Sequence, residues 1–334
     1  MTIRIAINGL GRIGRCVARA IVEENYKDIE LVAVNASAGI ETLVHLMKYD
    51  SVHGTFNFPV SGQNDELEIN GKKVKVVNER DPKKLPWKDL KIDVVFECTG
   101  AFTKKDDAAQ HILAGAKKVI ISAPAKEDSV KTIVYGVNHS ILTKDDVVIS
   151  VGSCTTNCLA PIAKALNDAV GIEKGFMTTI HAYTNDQNIV DNPHKDLRRA
   201  RACAMSMIPT STGAAKAIGL VLPELKGKLD GGAIRVPTPN VSMVDLNFLA
   251  KRETSKEEIN EAVKKAAANM KGVLQFVEEP LVSIDFNHNS HSSCFDSTQT
   301  KVLGGNMVKV CAWYDNEWGF SVRMLDVTAL IAKL

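Results

Sequence analysis

Residues 3–14 read Ile-Arg-Ile-Ala-Ile-Asn-Gly-Leu-Gly-Arg-Ile-Gly, and this stretch decides the fold of the N-terminal half. An apolar strand runs directly into the glycines, the residues after Gly14 have helical periodicity, and a second apolar strand follows at 29–34. This strand–helix–strand context distinguishes a dinucleotide-binding turn from an ordinary glycine-rich turn. Gly9 then makes the tight turn, Gly11 lets the backbone approach a pyrophosphate, and Gly14 lets helix and strand pack closely. The helix N-terminus supplies the anion site.

The bulk composition is that of an ordinary globular protein. The chain has 334 residues, 45% hydrophobic and 24% charged, and this length favours about two domains. Its net charge of +2 gives no argument for nucleic acid or a membrane surface as a partner. We find no apolar run near the ~20 residues that span a bilayer. Strand-forming residues begin directly at the N-terminus, so we expect no signal peptide. The seven cysteines lack framework spacing, so we expect free thiols in a reducing compartment, by default the cytoplasm.

The first half alternates short apolar strands with helical stretches. This alternation predicts an α/β domain with a Rossmann-type doubly wound parallel sheet. The predicted strands are Ile3–Ile7, Leu31–Asn35, Val94–Cys98, Lys118–Ser122 and Val147–Ser150. The predicted helices are Arg12–Glu23, Ile40–Lys48 and Asp106–Ala114. Residues 55–78 have the pattern of an antiparallel insertion, with Asn70 and Gly71 at a hairpin turn.

A cysteine and a histidine in the middle of the chain have the pattern of a covalent catalytic pair. Cys154 lies between an apolar strand and a helical stretch, where free N–H groups and the helix dipole favour a thiolate. His181 ends another strand-like run and is a candidate base or acid for it. Two alternatives stay open. Cys154 is a buried apolar cysteine, or these residues form a metal site, which their spacing disfavours.

The pattern changes after Cys154. One helix precedes longer strands, and Thr254, Ser255 and Glu258 indicate the capped start of a helix that ends near Met270. The longer strands are Gly232–Pro237, Met243–Ala250 and Met307–Tyr314. This pattern predicts an α+β catalytic domain with an antiparallel sheet and helices on one side of it. We expect the dinucleotide-binding domain over residues 1–153, the catalytic domain over 154–316 and a last helix over 317–334.

Residues 182–205 are rich in Asn, Asp and Arg, and they predict a long ordered loop. Loops of this length in a compact domain are usually functional. Composition alone favours a solvated basic face for the arginines of this loop, which are Arg198, Arg199 and Arg201.

Seven blocks of sequence, in the same order along the chain, resemble the phosphorylating glyceraldehyde-3-phosphate dehydrogenases. They include the glycine turn and the segments around the cysteine and the histidine. The blocks are Ile7–Gly14, Ser153–Asn157, His181–Thr184, Pro193–Arg201, Ser211–Lys216, Arg235–Asn240 and Trp313–Gly319. The resemblance covers nearly the whole chain and implies that the last helix packs on the first domain.

The resemblance implies oxidation of D-glyceraldehyde 3-phosphate to 1,3-bisphosphoglycerate, in glycolysis or gluconeogenesis. The substrate would be carried as a thioester on Cys154, and His181 would be the acid–base residue. Thr184 and Arg235 match the family's site for the substrate phosphate. The residues that match the site of the attacking phosphate are Ser153, Thr155, Arg199, Thr212 and Gly213.

Some of these residues have a structural alternative. Thr212 and Gly213 also fit an ordinary helix cap, although such a helix N-terminus binds phosphate equally well. For the cofactor, the resemblance implies contacts along the whole dinucleotide. Besides the three glycines, these contacts involve Arg12 and Ile13 at the pyrophosphate, Arg80 and Ser122 at the adenine and nicotinamide ends, and Asn316 at the carboxamide.

Three departures from the family pattern remove no reacting group. Val151 and Gly152 replace the usual Asn-Ala, Phe320 replaces a Tyr, and Val322 replaces an Asn. The alternative enzyme is erythrose-4-phosphate dehydrogenase, which has the same Cys–His chemistry. Its relatives alter the Thr-Asn-Asp and Thr-Gly-Ala-Ala blocks that are intact here, although the segments 285–288 and 319–326 resemble it.

We expect a small-molecule substrate and inorganic phosphate as partners, with neither nucleic acid nor membrane, no metal, and a homotetramer. A binding or adhesion protein built on this fold has no positive support from the sequence. Steady-state kinetics with both aldehydes and both cofactors separates the enzymatic alternatives.

The end of the second strand departs from the NAD-specific pattern. NAD-specific folds place an Asp or Glu about 20 residues past the glycines, where it holds the ribose hydroxyls and repels a 2′-phosphate. Ala36 stands where the family usually has Asp, no acid appears until Glu41, and Ser37 adds a hydroxyl. We predict that NADP is used at least as well as NAD, through loss of repulsion and without a nearby Arg. The alternative is that NAD still binds adequately.

Overall fold

The computed structural model describes residues 2–334, which form two compact units. Unit 1 contains the residues up to Ile133, together with His139–Gly152 and Ser321–Leu334. Unit 2 contains Val134–Asn138 and Ser153–Phe320. Within residues 2–334, we find no helix with the length and apolar character needed to cross a bilayer.

Unit 1 is built on a nine-stranded sheet. Its strands, with the small β3–β4 ribbon, are β1 (Ile3–Asn8), β2 (Ile29–Asn35), β3 (Tyr49–Asp50), β4 (Gly54–Thr55), β5 (Val60–Gln63), β6 (Glu66–Ile69), β7 (Lys72–Val77), β8 (Val94–Glu97), β9 (Lys118–Ile121), β10 (Lys131–Thr132) and β11 (Val148–Ser150). The strand order is β10-β11-β9-β8-β1-β2-β7-β6-β5. All pairs from β10 to β7 are parallel, and the chain winds outward in both directions from β1. The predicted doubly wound sheet is confirmed, and its ligand crevice lies at the carboxyl ends of β1 and β8.

The antiparallel insertion is also confirmed. The strands β5, β6 and β7 form two successive antiparallel pairs. Asn70 and Gly71 have φ of 48° and 74°, and two left-handed residues are what a type I′ hairpin turn requires.

The helices of unit 1 agree with the sequence except at one position. They are α1 (Arg12–Glu23), α2 (Ile40–Lys48), α3 (Lys105–Ala108) and α4 (Gln110–Leu113). The single helix predicted over Asp106–Ala114 is wrong, because the chain tightens at Ala109, whose carbonyl accepts the Ile112 N–H at 2.9 Å. The fully buried His111 lies directly after this break.

Unit 2 has a seven-stranded sheet with the order β13-β14-β12-β15-β18-β17-β16. These strands are β12 (Ile172–Ala182), β13 (Ile208–Thr210), β14 (Leu229–Val236), β15 (Ser242–Ala250), β16 (Leu274–Val277), β17 (Ser293–Leu303) and β18 (Met307–Tyr314). The predicted antiparallel sheet is confirmed for four of the six pairings, whereas β12–β14 and β16–β17 are parallel. The β12–β14 pairing is parallel because the chain between them crosses back through the long loop and a helix.

Helices cover one face of this second sheet. The remaining helices are α5 (Cys154–Val170), α6 (Ala214–Val221), α7 (Lys256–Asn269) and α8 (Trp318–Ile331), with short 3₁₀ segments at Pro82–Lys84, His139–Ile141, Pro223–Leu225 and Ser283–Phe286. Side chains of α5, α6 and α7 share one apolar core with alternate residues of β15, among them Leu166, Ile218, Val263 and Leu246. Ser255 caps α7 as predicted, since its hydroxyl accepts the Glu258 N–H.

Candidate functional site

Cys154 is the first residue of α5, and the segment before it forms the cap of that helix. The Ser153 hydroxyl accepts the Thr156 N–H at 3.1 Å, and the Asn157 amide donates to the Ser153 carbonyl at 2.9 Å. Gly152 has φ of 69°, a left-handed conformation that favours glycine, so this departure from the family pattern matches the local backbone. Cys154 is thus held, partly exposed, beside the unpaired N–H groups of a helix start.

The sequence-predicted pair is in contact. His181 lies on β12 with 4% of its surface exposed, and its Nε2 is 3.5 Å from the Cys154 Sγ. Its Nδ1 lies 2.7 Å from the Ala182 carbonyl oxygen and 2.9 Å from Arg235 Nη1. A carbonyl only accepts and a guanidinium only donates, so the shorter contact assigns the proton to Nδ1. In that tautomer the Nε2 lone pair faces the sulfur, as a general base requires.

Arg235 is opposite His181 in the β12–β14 register. Its Nη1 donates to the Ala182 carbonyl at 2.9 Å and to the Thr184 hydroxyl at 3.4 Å. Burial, followed by the Arg235 charge, lowers the pKa of His181 to about 3. The imidazole is therefore neutral at neutral pH.

The thiol departs from the sequence expectation. Burial raises the pKa of Cys154, although Arg235 and the donors of Thr155 oppose that effect. The predicted stabilisation of a thiolate at the helix start is therefore outweighed by burial. The resting pair is therefore a thiol beside a neutral imidazole.

Tyr314 packs against the Cys154–His181 pair and was not predicted from the sequence. Its hydroxyl lies 2.8 Å from the hydroxyls of Thr155 and Thr179, and its ring meets the His181 ring edge-on at 6.0 Å. Burial raises the pKa of Tyr314 well above its usual value, so it stays neutral. Thr179 and His181 are two residues apart on β12, so their side chains lie on the same face of the strand. This spacing was the only sequence feature that could have indicated a polar group beside His181.

The predicted phosphate residues fall into two groups. Arg235 and Thr184 lie together beside the His181 ring, and the buried Nε of Arg235 has no hydrogen-bond partner among residues 2–334. Arg199 is held elsewhere on the long loop. Its Nε donates to the Thr210 hydroxyl at 2.9 Å, and its guanidinium pairs with Asp186.

The other members of the predicted phosphate set are mostly engaged in local structure. The Thr155 hydroxyl is buried against Tyr314, and the Ser153 hydroxyl caps α5. The Thr212 hydroxyl accepts the Ala214 N–H at 3.2 Å, while Gly213 is exposed at the start of α6. Thr212 thus closes a local turn before α6, the N-cap residue Gly213 provides no side-chain cap, and backbone N–H groups remain available at these helix starts.

The glycine turn has the geometry that a dinucleotide needs. Gly9 has φ of 97°, and a side chain at Gly14 would overlap the Gly9 carbonyl oxygen. A side chain at Gly11 would instead meet nothing within 4 Å, so the backbone is open on the ligand side. The turn borders a cavity of about 530 Å³, whose lining includes Gly9, Gly11, Asn35, Ala36, Ser37, Glu79, Arg80 and Thr99. Shape and exposed N–H groups here fit a dinucleotide.

Arg80 corrects one expectation. It lines the same cavity as Ala36 and Ser37, so the expectation that no Arg lies near position 36 is wrong. The cause is the pairing of β2 with β7, in which the Ala36 N–H donates to the Val77 carbonyl and brings the following residues alongside. The Arg80 guanidinium has no hydrogen bond or ion pair to the rest of residues 2–334.

Other predicted cofactor residues are placed differently. Ile13 is partly buried in the first turn of α1. Arg12 pairs with Asp50 at 2.6 Å, and although burial would raise the pKa of Asp50, this pairing helps to lower it to about 2. Ser122 lies outside the cavity lining and donates its hydroxyl to the Glu97 carbonyl at 2.9 Å. Asn316 belongs to unit 2, where its Oδ1 accepts the Ser242 hydroxyl at 2.8 Å.

A buried polar network beneath the cavity was not predicted. The Glu97 carboxylate accepts from Asn8 Nδ2 at 2.6 Å, from His111 Nε2 at 3.0 Å and from the Thr99 N–H at 2.9 Å. The Trp87 indole donates to His111 Nδ1 at 3.0 Å, which leaves the ring proton on the nitrogen that faces Glu97. Because Asn8 and Glu97 end β1 and β8, the network fixes the strand ends that carry the glycine turn.

Comparison with known proteins decides the family. The NAD-binding domain profile of glyceraldehyde 3-phosphate dehydrogenase matches residues 3–105, and the C-terminal domain profile of the same family matches residues 153–316. The chain belongs to the glyceraldehyde 3-phosphate dehydrogenase family. Glyceraldehyde-3-phosphate dehydrogenase of Xanthobacter flavus is 60% identical over 100% of both chains. The Cereibacter sphaeroides protein of that name is 58% identical over 100% of both chains.

A more distant relative gives the same result. Glyceraldehyde-3-phosphate dehydrogenase 2 of Bacillus subtilis (strain 168) is 56% identical over 99% of this chain and 97% of its own. Family membership confirms the resemblance read from the seven sequence blocks and the two-part fold class. It also confirms an oxidoreductase that uses a nicotinamide dinucleotide, NAD or NADP.

Proposed function

We propose that this protein is a phosphorylating glyceraldehyde-3-phosphate dehydrogenase of glycolysis or gluconeogenesis. It converts D-glyceraldehyde 3-phosphate and inorganic phosphate into 1,3-bisphosphoglycerate. The observation that carries this proposal is the 3.5 Å contact between the Cys154 sulfur and Nε2 of His181. A nucleophile beside a neutral, oriented base is the arrangement that covalent catalysis on an aldehyde needs.

The chain's own residues account for the covalent steps. The Cys154 thiol passes its proton to His181 Nε2 as the sulfur adds to the aldehyde carbon, and the proton then moves to the new hydroxyl of the hemithioacetal. His181 next removes that hydroxyl proton, and the backbone N–H of Cys154 stabilises the oxygen as it becomes a carbonyl. When bound, the nicotinamide supplies the acceptor for the hydride that leaves the same carbon. The product is a thioester on Cys154.

Inorganic phosphate completes the reaction. A phosphate oxygen attacks the thioester carbonyl, the carbon–sulfur bond breaks, and the sulfur recovers a proton from His181. We assign the substrate phosphate to Arg235 and Thr184, since the unpartnered Nε of Arg235 is a donor still to be satisfied. We assign the attacking phosphate to Arg199 and the helix starts at Ser153 and Gly213.

Steady-state assays of the purified protein test this function. We expect phosphate-dependent reduction of the cofactor with D-glyceraldehyde 3-phosphate, at a kcat/KM well above that with D-erythrose 4-phosphate. A higher kcat/KM with the four-carbon aldehyde would assign the protein to the sister activity instead. No turnover with either aldehyde would refute the proposal.

Within the established use of a nicotinamide dinucleotide, we propose that NADP serves at least as well as NAD. Ala36 provides no carboxylate to repel a 2′-phosphate, and Arg80 brings a positive charge to the same cavity. Glu79 also lines this cavity and opposes that charge, although its carboxylate is engaged with the Asp81 N–H at 2.8 Å. Ala36→Asp should weaken NADP and restore NAD preference, while Arg80→Ala should weaken NADP alone. A wild-type kcat/KM for NAD tenfold above that for NADP would overturn this proposal.

We also propose that the protein is a cytoplasmic homotetramer. Large apolar side chains are exposed along the loop between β12 and β13, namely Ile189, Val190, Leu197, Met205 and Met207. A concentrated apolar surface of this kind is typical of an interface. All seven cysteines are free, which suits a reducing compartment. Light scattering coupled to gel filtration should give four times the chain mass, and a monomer at assay concentration would contradict the assembly.

A further inference from the structure

Ser242 occupies an unusual position in unit 2. It is the first residue of β15, only 1% of its surface is exposed, and its hydroxyl has two hydrogen-bond partners. The oxygen accepts the Ala182 N–H at 3.0 Å, and it lies 2.8 Å from Asn316 Oδ1.

Donor counting fixes the direction of the second bond. The Ser242 hydroxyl has one proton, and a buried hydroxyl proton needs an acceptor. The Ala182 N–H is itself a donor, so the proton goes to the Asn316 side chain, which must present its oxygen to Ser242. The Asn316 amide can therefore not rotate by a half turn without breaking that bond.

The outward end of the same amide is what matters for a ligand. Asn316 is 5% exposed, and its Nδ2 has no hydrogen-bond partner among residues 2–334. With Oδ1 bonded to Ser242, the side chain offers two N–H donors and withholds its acceptor. A group that presents a carbonyl oxygen fits this site, whereas one that presents only N–H donors does not.

The bonds of Ser242 also lead to the reactive pair. Ala182, whose N–H binds Ser242, accepts at its carbonyl from His181 Nδ1 at 2.7 Å and from Arg235. One residue of β12 thus connects the ring of the base to the side chain of Asn316. A shift of the His181 ring relative to Asn316 would stretch one of the hydrogen bonds made by Ala182 or Ser242.

We propose that Ser242 is a positioning residue that holds the Asn316 amide with its N–H groups toward the carboxamide oxygen of the nicotinamide. The proposal rests on the proposed function, because it takes the ligand of Asn316 to be the cofactor. Ser242 itself touches no reacting atom. Its hydroxyl binds Asn316 Oδ1, so that the Nδ2 end of the amide faces the ligand. Its bond to the Ala182 N–H keeps Asn316 at a fixed distance from the strand that carries His181.

Calorimetric binding of NAD and of ADP-ribose, without aldehyde, tests the proposal. ADP-ribose lacks the nicotinamide, so a variant that merely disturbs the fold weakens both ligands. Ser242→Ala should weaken NAD about tenfold, which is the loss of about 1.4 kcal/mol, and should leave ADP-ribose unchanged. Ser297→Ala is the matched control, since it removes a buried hydroxyl that donates to the Val277 carbonyl at 2.7 Å in the same unit. It should change neither affinity.

Two further variants make the outcome decisive. Ser242→Thr keeps the hydroxyl and should restore NAD affinity, and Ser242→Cys, which keeps the size but weakens the donor, should lie between Ala and wild type. Ser242→Cys also provides the test of the hydroxyl if Ser242→Ala does not fold. In an Asn316→Ala background, Ser242→Ala should have no added effect on NAD.

Three results would overturn the proposal. They are an unchanged NAD affinity in Ser242→Ala, an equal loss for ADP-ribose, and a wild type that binds ADP-ribose as tightly as NAD. The proposed function fails differently, through absence of aldehyde oxidation by the wild type, whatever the binding data show.

Discussion

Replacing His181 by Asn should make the protein less sensitive to acid. The pKa of His181 is lowered to about 3 in the folded protein, against an ordinary value of 6.5. Between these values the unfolded chain binds a proton that the folded chain does not, so folding stability falls as the pH falls through 6.5. The two pH units from 6.5 to 4.5 correspond to a loss of about 2.7 kcal/mol from this one side chain, at ~1.4 kcal/mol per unit.

Urea unfolding at pH 7.5 and pH 4.5 measures this loss. Asn at position 181 does not titrate, so the variant should lose about 2–3 kcal/mol less than the wild type over the interval, whatever its stability at pH 7.5. The matched control is His45→Asn, which makes the same substitution at an exposed histidine. Equal losses in the wild type and His181→Asn would show that His181 is not held neutral, and the mechanism would lose its base.

Three further predictions concern the site and its support. Cys154→Ser should abolish phosphate-dependent turnover but leave NAD binding by calorimetry unchanged, because a serine hydroxyl is a poor nucleophile at neutral pH. If Cys154→Ser lost NAD binding as well as turnover, the role of Cys154 would be structural. Arg199→Leu should raise the apparent KM of phosphate more than that of the aldehyde, and the reverse order would exchange the two phosphate assignments. Glu97→Ala leaves the buried side-chain donors of Asn8 and His111 without their carboxylate partner, so urea unfolding should show a loss of about 3–5 kcal/mol. A loss under ~1 kcal/mol would mean that water reaches this network.

Features set by neighbouring residues were predictable from the sequence. The glycine turn is the clearest example, since Gly9 and Gly14 have the backbone and the close packing that their spacing predicts. The bounds of α1 and α2 agree with the prediction because apolar periodicity is a local property of the sequence. The helix predicted over Asp106–Ala114 failed where His111 makes long-range bonds to Trp87 and Glu97.

Features that depend on strand pairing were not predictable. Arg80 lies 44 residues beyond Ala36 in the chain and shares its cavity only because β2 pairs with β7. Arg235 meets His181 only because β14 lies beside β12 in parallel register. The neutral imidazole and the raised thiol pKa follow from that register and from burial. The contact between Cys154 and His181 was therefore predictable from the sequence, whereas the burial that raises the pKa of the thiol was not.

The central claim is that the substrate is carried as a thioester on Cys154, formed with His181 as the base. Rapid mixing of the wild-type protein with D-glyceraldehyde 3-phosphate and NAD, in the absence of phosphate, tests it most directly. We predict a burst of reduced cofactor equal to the concentration of Cys154, an acyl group on the Cys154 peptide by mass spectrometry, and renewed turnover when phosphate is added. A wild type without a burst, or an equal burst in Cys154→Ser, would contradict this account.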